Sequence, residues 1–282
     1  TKIMGMEVPS LDFASAMIIS RCGHIYAMGT ETAPVLFTTD AEEFAPADAF
    51  DRGLWGGLIL LGDATINTSA GEGFIEGIPT GLPGEYGDAG KNFDDNHSAG
   101  HLHYVKIRHG GAELEPDEEI NGLTLGAVGA GTQIDHVEVY ANFDDGIEWF
   151  GGTVRIKYAV VGFCADDSYD YDEGFNGSGQ YFFTIADDLG DHSGEHDGGT
   201  TPEDGLPYAI PRFANVTYMG AGETSGSLKN PYCFKIRDNA GGKWYNSIFV
   251  DHANAGITIE DLGAGVEDSE QRLADGDIEF EN

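Results

Sequence analysis

Short apolar runs, rather than helical stripes, carry the pattern of this chain. Short runs with alternating or β-branched character recur at 16–20, 24–27, 35–38, 58–61, 103–107, 135–139, 157–161, 214–218 and 245–249. Such runs read as strands, and the Gly, Asn and Asp that follow them suit corners with positive φ. A sustained helical period is missing. Residues 269–273 suit one helical turn and 41–50 another.

The spacing of the runs decides the fold. Asp135-His136-Val137-Glu138-Val139 is followed by Asp144-Asp145 and then by Glu148-Trp149-Phe150. The same order returns one short repeat later as Lys157-Tyr158-Ala159-Val160-Val161, Asp166-Asp167 and Asp170-Tyr171. The run at 103–107 precedes the first copy by a longer interval, and the runs at 214–218 and 245–249 are separated by a similar one. Strands that return this often with no helix between them are not βαβ units, and a propeller blade needs about 40 residues. The reading is an all-β, right-handed parallel β-helix over residues 1–282 as a single domain, each coil giving two or three short strands. What the longer intervals hold beyond the short repeat then leaves the solenoid as long corner loops near 71–99, 112–121 and 187–207.

Four stretches carry a family resemblance. They are Gly29-Thr30 with Ala33-Pro34-Val35-Leu36-Phe37-Thr38, Leu54-Trp55-Gly56-Gly57-Leu58, Ile120-Asn121-Gly122-Leu123-Thr124-Leu125, and Asp144-Asp145-Gly146-Ile147-Glu148-Trp149-Phe150-Gly151-Gly152. They resemble secreted right-handed parallel β-helix proteins of the bacterial cell surface, within the wider pectate-lyase-like superfold. The resemblance runs from about Ile18 to Asp188 and more weakly to Asp261. It implies an extracellular solenoid, a surface or fibre component. It says little about activity, because that superfold hosts lyases, hydrolases, adhesins and fibres alike.

Charge narrows the partners. Fourteen basic against 49 acidic residues leave a formal net charge of −35. Such a chain does not hold nucleic acid by phosphate neutralisation and is repelled by anionic membrane surfaces. No apolar run is long enough to offer a membrane-spanning helix, which takes about 20 residues. The acid excess suits an extracellular setting in which cations screen self-repulsion, and the opening Thr1 fits a processed product. Cys22, Cys164 and Cys233 stand far apart with no C-x-x-C spacing; they read either as one disulfide with a spare thiol or as three small apolar residues. Asn67, Asn96, Asn176 and Asn215 open N-x-[Ser/Thr] sequons and are the glycosylation candidates.

The acidic residues repeat with the coil, and here the candidate chemistry concentrates. Asp144 and Asp145 fall one repeat before Asp166 and Asp167, Glu148 falls one repeat before Asp170, and Asp172 and Glu173 follow. On stacked coils these carboxylates lie about 5 Å apart and repel one another unless a cation sits between them. Ca²⁺ accepts six to eight oxygen ligands in irregular geometry, so this set is the expected calcium site. The competing reading is a solvated corner of Asx-turns.

Other groups are weaker. His192 and His196 occupy a Gly-rich acidic stretch that reads as a flexible loop, with Asp187, Asp188, Asp191, Glu195 and Asp197. His101 and His103 alternate on one strand face, where they can share a ligand, beside His97 and His109 in sequence. For polysaccharide cleavage, stacked Asp residues suit a glycosidase pair, and Lys235 with Arg237, or Arg155 with Lys157, are the cations a lyase needs as base. No G-x-S-x-G and no phosphate loop occurs. Trp149, Tyr169 and Tyr171 are either stacking platforms of a carbohydrate-binding adhesin or ladder packing inside the coils. With no amphipathic cap at either end, the favoured function is an extracellular structural subunit. It assembles head to tail with its own copies and is stiffened by Ca²⁺. The alternatives are a polysaccharide lyase or glycosidase and a polysaccharide-binding adhesin.

Overall fold

In the computed structural model the alternating runs become two stacks of parallel strands. The structure describes residues 1–5, 7–8, 13–40, 47–115, 118–222, 224–225, 229 and 232–282. The short sheet runs, in spatial order, through Met17–Ile19, Leu58–Leu61, Leu123–Gly126, Ile147–Phe150, Tyr169–Asp172, Gly194–Asp197, Tyr232–Arg237 and Ala255–Ile259. The long sheet runs through Lys2–Gly5, Val35–Thr39, Gly100–Arg108, Gln133–Tyr140, Arg155–Gly162 and Ser178–Ile185, and then through the shorter strands Arg212–Ala214, Gly242–Tyr245 and Ile278–Glu281. The chain passes from one stack to the other and back in each coil, and successive strands within each stack pair in parallel. This is a parallel β-helix. Its register matches the repeat read from the sequence. Asp135 pairs with Lys157, Glu148 with Asp170, His103 with Asp135, and Thr217 with Ile248.

Each long strand bends at one residue of positive φ. These are Tyr104 (φ 47°), His136 (54°), Tyr158 (61°) and Tyr181 (61°), and Asn215 (58°) and Asn246 (49°) hold the equivalent place on later coils. The bend re-aims the side chain outward, so Tyr104, His136, Tyr158 and Tyr181 form an external ring stack with centroids 4.2, 4.5 and 5.1 Å apart.

Inside the coils, residues two apart on each strand point inward and fall on their counterparts above and below. The interior is aliphatic at Leu58, Leu60, Leu123, Leu125, Val137 and Val139, and turns aromatic from Trp149 onward. Trp149 lies 5.2 Å from Phe175, and Tyr169 lies 5.0 Å from Phe182. Trp149, Tyr169 and Tyr171 are all at most 1% exposed, which removes them as stacking platforms for a sugar and makes them interior ladder. Burying each such ring contributes about 2–3 kcal/mol.

One of the long spacers departs from the sequence reading. Residues 187–207 are not loop throughout, because Gly194–Asp197 supplies another rung of the short sheet, which the surrounding glycines disguise. His196 therefore lies in the core, stacked 4.2 Å from Tyr171 and 5.4 Å from Trp244, where burial pushes its pKa down to about 3. It is a neutral packing ring, whereas His192 sits in the corner beside Asp167, so the two do not form a metal pair. Residues 71–99 contain an antiparallel hairpin, Glu72–Phe74 with Glu85–Gly87. Ile75, Ile78 and Tyr86 from this region pack with Ile66, with Ile59 and Leu61 of the short sheet and with Ile120 and Ala127 as a second small core. Residues 112–121 contain the hairpin Glu113–Glu115 with Glu118–Glu119.

The helical turn expected at 269–273 is present as the helix Ser269–Asp275. Asp268 caps it by accepting from the Gln271 backbone, and Gly276 closes it at φ 82°. The turn expected at 41–50 falls mostly outside the described residues. No helix among the described residues is long and apolar enough to cross a membrane. Cys22 is exposed, Cys164 and Cys233 are buried, and all three are free thiols.

Candidate metal centre

The candidate site lies on the outer side of the short sheet and is built from register. Because alternate residues point outward, Thr124, Glu148, Asp170, Glu195, Lys235 and Thr258 form one column along successive coils. Two residues further on, Phe150, Asp172, Asp197 and Arg237 form a second column. The corner leading into each strand adds a third, in which the Asp167 backbone N–H donates to Asp145 Oδ1 at 2.8 Å and the His192 backbone N–H donates to Asp167 Oδ1 at 2.5 Å.

Three carboxylate sets converge. Asp144, Asp145 and Asp166 each offer an oxygen within 4.8 Å of the others, and so do Asp145, Glu148 and Asp170. Asp167, His192 and Glu195 form a third set with one imidazole, and His192 Nδ1 lies 3.1 Å from Asp167 Oδ1. Asp145 belongs to two sets, so the centre is continuous across coils. The acidic residues singled out by the repeat stand together here. Asp144, Asp145, Glu148, Asp166, Asp167 and Asp170 make these sets, and Asp172 and Glu173 border them at the far end of the Tyr169–Asp172 strand. Asp172 accepts from the Thr200 hydroxyl, and Glu173 is hydrogen-bonded to Tyr86.

Few donors reach the middle of this centre. Asn121 donates to Glu148, but Asp170 Oδ1 is buried without a hydrogen-bond partner. Burial and like charge therefore act together. Burial first, then Asp166 and Glu119, pushes the Asp144 carboxyl up to about 8. Burial, opposed by hydrogen bonding and charge from His192, leaves Asp167 raised to about 7. Asp145, Glu148 and Asp170 are pushed well above the carboxylate range, chiefly by burial and next by neighbouring carboxylates.

Of the cations named by the sequence, Lys235 and Arg237 sit further along the same columns, whereas Arg155 and Lys157 lie on the long sheet. Lys235 Nζ donates to Glu195 at 2.6 Å, and Arg237 holds Asp197 through two bonds of 2.7 and 2.9 Å and reaches Glu195 at 3.1 Å. The sequence pattern puts Glu195 and Asp197 in a loop; the structure makes them rungs of the two outer columns. Their strand is hidden in the sequence because no apolar run marks it.

The sequons differ in access. Asn67 is buried, with its Nδ2 donating to the carbonyls of Gly198, Gly205 and Pro207. Asn96 and Asn176 are exposed, and Asn215 is half-buried at a strand bend.

The set of Asp144, Asp145 and Asp166 and the set of Asp145, Glu148 and Asp170 offer oxygen alone, a chemistry that suits a hard cation of Ca²⁺ type, whereas the third set adds an imidazole. Oxygens on opposite sides of such an ion lie up to about 5 Å apart. No curated protein and no solved structure matches the chain. The family model described as "pectate-lyase like beta helix domain" matches residues 1–282, and the chain belongs to that family.

Proposed function

We propose that this chain is an extracellular, calcium-loaded β-helix of the cell surface, with Asp144, Asp145, Glu148, Asp166, Asp167 and Asp170 as the cation ligands and Asp172 and Glu173 at their border. Family membership supports a carbohydrate-related or surface role. The observation that carries the metal is the convergence of Asp145, Glu148 and Asp170 within 4.8 Å, with Asp170 Oδ1 buried and undonated. Three ionised groups at that separation are stable only with a cation among them or with protons bound. Calorimetric titration of the full chain at pH 8 tests this. Ca²⁺ should bind, Mg²⁺ should bind more weakly because it demands a small octahedron, and Asp170→Asn should weaken Ca²⁺ at least about tenfold. Absence of Ca²⁺ binding by the intact chain sinks the reading.

A second reading, head-to-tail assembly with further copies of the chain, is favoured by the sheet edges. One end presents the strands Lys2–Gly5, Met17–Ile19 and Ile25–Met28, with Met17 and Ile19 only partly covered. The other presents Ala255–Ile259 and Ile278–Glu281, with Phe249, Ile257 and Ile259 partly covered and Phe280 exposed. A contact between unlike ends that does not close propagates as a filament. Electron microscopy with and without Ca²⁺ tests this, and persistent monomers at high concentration in Ca²⁺ count against it. A lyase or glycosidase acting on polysaccharide at the same face has less support, since Lys235 and Arg237 are both held by carboxylates.

A further inference from the structure

A different cluster stands on the outer face of the long sheet, away from the acidic centre. His101 and His103 are two apart on Gly100–Arg108 and so share a face, and register places His103 beside Asp135 on the next coil. His103 Nδ1 lies 2.5 Å from Asp135 Oδ1, and His136 Nδ1 lies 2.6 Å from the same oxygen. His101 Nε2 lies 3.5 Å from Asp135 Oδ2. Three of the nine histidines of the chain thus surround one carboxylate.

Two further observations set this apart from a chance surface contact. Register puts Lys157 directly beside Asp135, yet its Nζ lies over the rings of Tyr158 and Tyr181, at 5.2 and 5.4 Å from their centroids. His136 is the residue of positive φ at the strand bend, clamped between Tyr104 and Tyr158 at 4.2 and 4.5 Å. The clamp fixes the ring plane and directs Nδ1 at the carboxylate. Ring centroids are 5.7 Å apart for His101 and His103, and 5.6 Å for His103 and His136. His101, His103 and Asp135 each offer a donor atom within 4.8 Å of the others, and His136 reaches the same carboxylate.

We propose that His101, His103, His136 and Asp135 form a binding site for a borderline-soft divalent ion, Zn²⁺. Three imidazole nitrogens and one carboxylate oxygen suit zinc and not Ca²⁺, which prefers oxygen alone. Binding replaces the imidazole–carboxylate hydrogen bonds with metal bonds and releases any proton that a ligating nitrogen carries. The site shares no residue with the acidic centre, so either stands if the other fails.

Competition of the full chain with a chromophoric zinc chelator, in millimolar Ca²⁺ to fill the acidic centre, is the test. One Zn²⁺ per chain should bind. The double variant His103→Ala/His136→Ala should lose that binding, and Asp135→Asn should weaken it at least about tenfold. Cobalt substitution should give the visible absorption of a tetrahedral nitrogen–oxygen site. His101→Ala, whose ring lies on the strand surface, serves as a second variant should the double variant unfold, and it too should weaken binding. The proposal is overturned if Zn²⁺ affinity is unchanged in the histidine variants. It is equally overturned if affinity falls only in Asp145→Asn or Asp170→Asn.

Discussion

The outer faces of the two sheets use one device, the stacking of like positions on successive coils, to opposite ends. On the long sheet the stacked charges are matched. Glu138 accepts from Lys106 at 2.8 Å and from Arg108, both one coil earlier, and Asp135 is ringed by histidines. Burial opposes ionisation of Glu138 and Asp135, but these donors outweigh it and hold both carboxyls below their ordinary range. On the short sheet Glu148 meets Asp170, and Asp145 meets Asp144, Asp166 and Asp170, with few donors between. There burial and repulsion add, and the carboxyls are pushed up. The unmatched column is where the proposed cation would sit, since nothing else among the described residues neutralises Asp145, Glu148 and Asp170.

The largest expected effect removes what both faces share. Trp149→Ala opens the interior beneath the acidic column and should cost about 3–5 kcal/mol in an unfolding titration, lowering the midpoint with and without Ca²⁺ alike. If the loss appears only without Ca²⁺, the cation rather than the core holds this region.

Ca²⁺ addition should act on the acidic face only. At about one hundred times its dissociation constant, Ca²⁺ should add about 2.7 kcal/mol, raising the thermal midpoint by about 5 °C. The effect should depend on pH in a fixed sense. Carboxyls raised in the fold, Asp144 to about 8 and Asp167 to about 7, hold protons that the unfolded chain has released above about pH 4. Cation-free stability from these groups is therefore full below that point and is lost as pH rises through 7 to 8. The Ca²⁺ increment should grow over the same interval. Thermal scans from pH 5 to pH 8.5 measure both, and a cation-free midpoint that rises over this range contradicts the assignment.

Asp145→Asn removes one charge from the unmatched column. It should raise the cation-free midpoint at pH 8 while weakening Ca²⁺ at least about tenfold, or about 1.4 kcal/mol. A variant destabilised under both conditions would show that Asp145 serves only through its bond to the Asp167 backbone. The smallest effect belongs to the matched face. Glu138→Ala should cost up to about 1 kcal/mol, since its partners are partly exposed, with no change in the Ca²⁺ response.

The coil repeat is legible in the sequence because stacking forces equal spacing. The recurrence of Asp135 at Lys157 and of Glu148 at Asp170 is the register itself. The acidic column is legible for the same reason. Glu195 and His196 are not, because a rung without an apolar run leaves no period to read, and a long excursion separates Glu195 from its column neighbour Lys235. Asp135 as the centre of a histidine cluster is also hidden. His101 and His103 declare their shared face by alternation, but Asp135 and His136 join them only through pairing with the next coil and a left-handed bend. The packing of residues 71–99 over Ile59 and Leu61 depends on Tyr86, Ile75 and Ile78, scattered through turns with no periodic signal.

The most direct test of a cation on the unmatched column is anomalous diffraction from crystals grown at pH 8 with Ca²⁺, or with Mn²⁺ as its stand-in. An anomalous peak is expected about 2.3–2.6 Å from carboxylate oxygens of Asp145, Glu148 and Asp170. Clear density for those three side chains with no peak among them would contradict it.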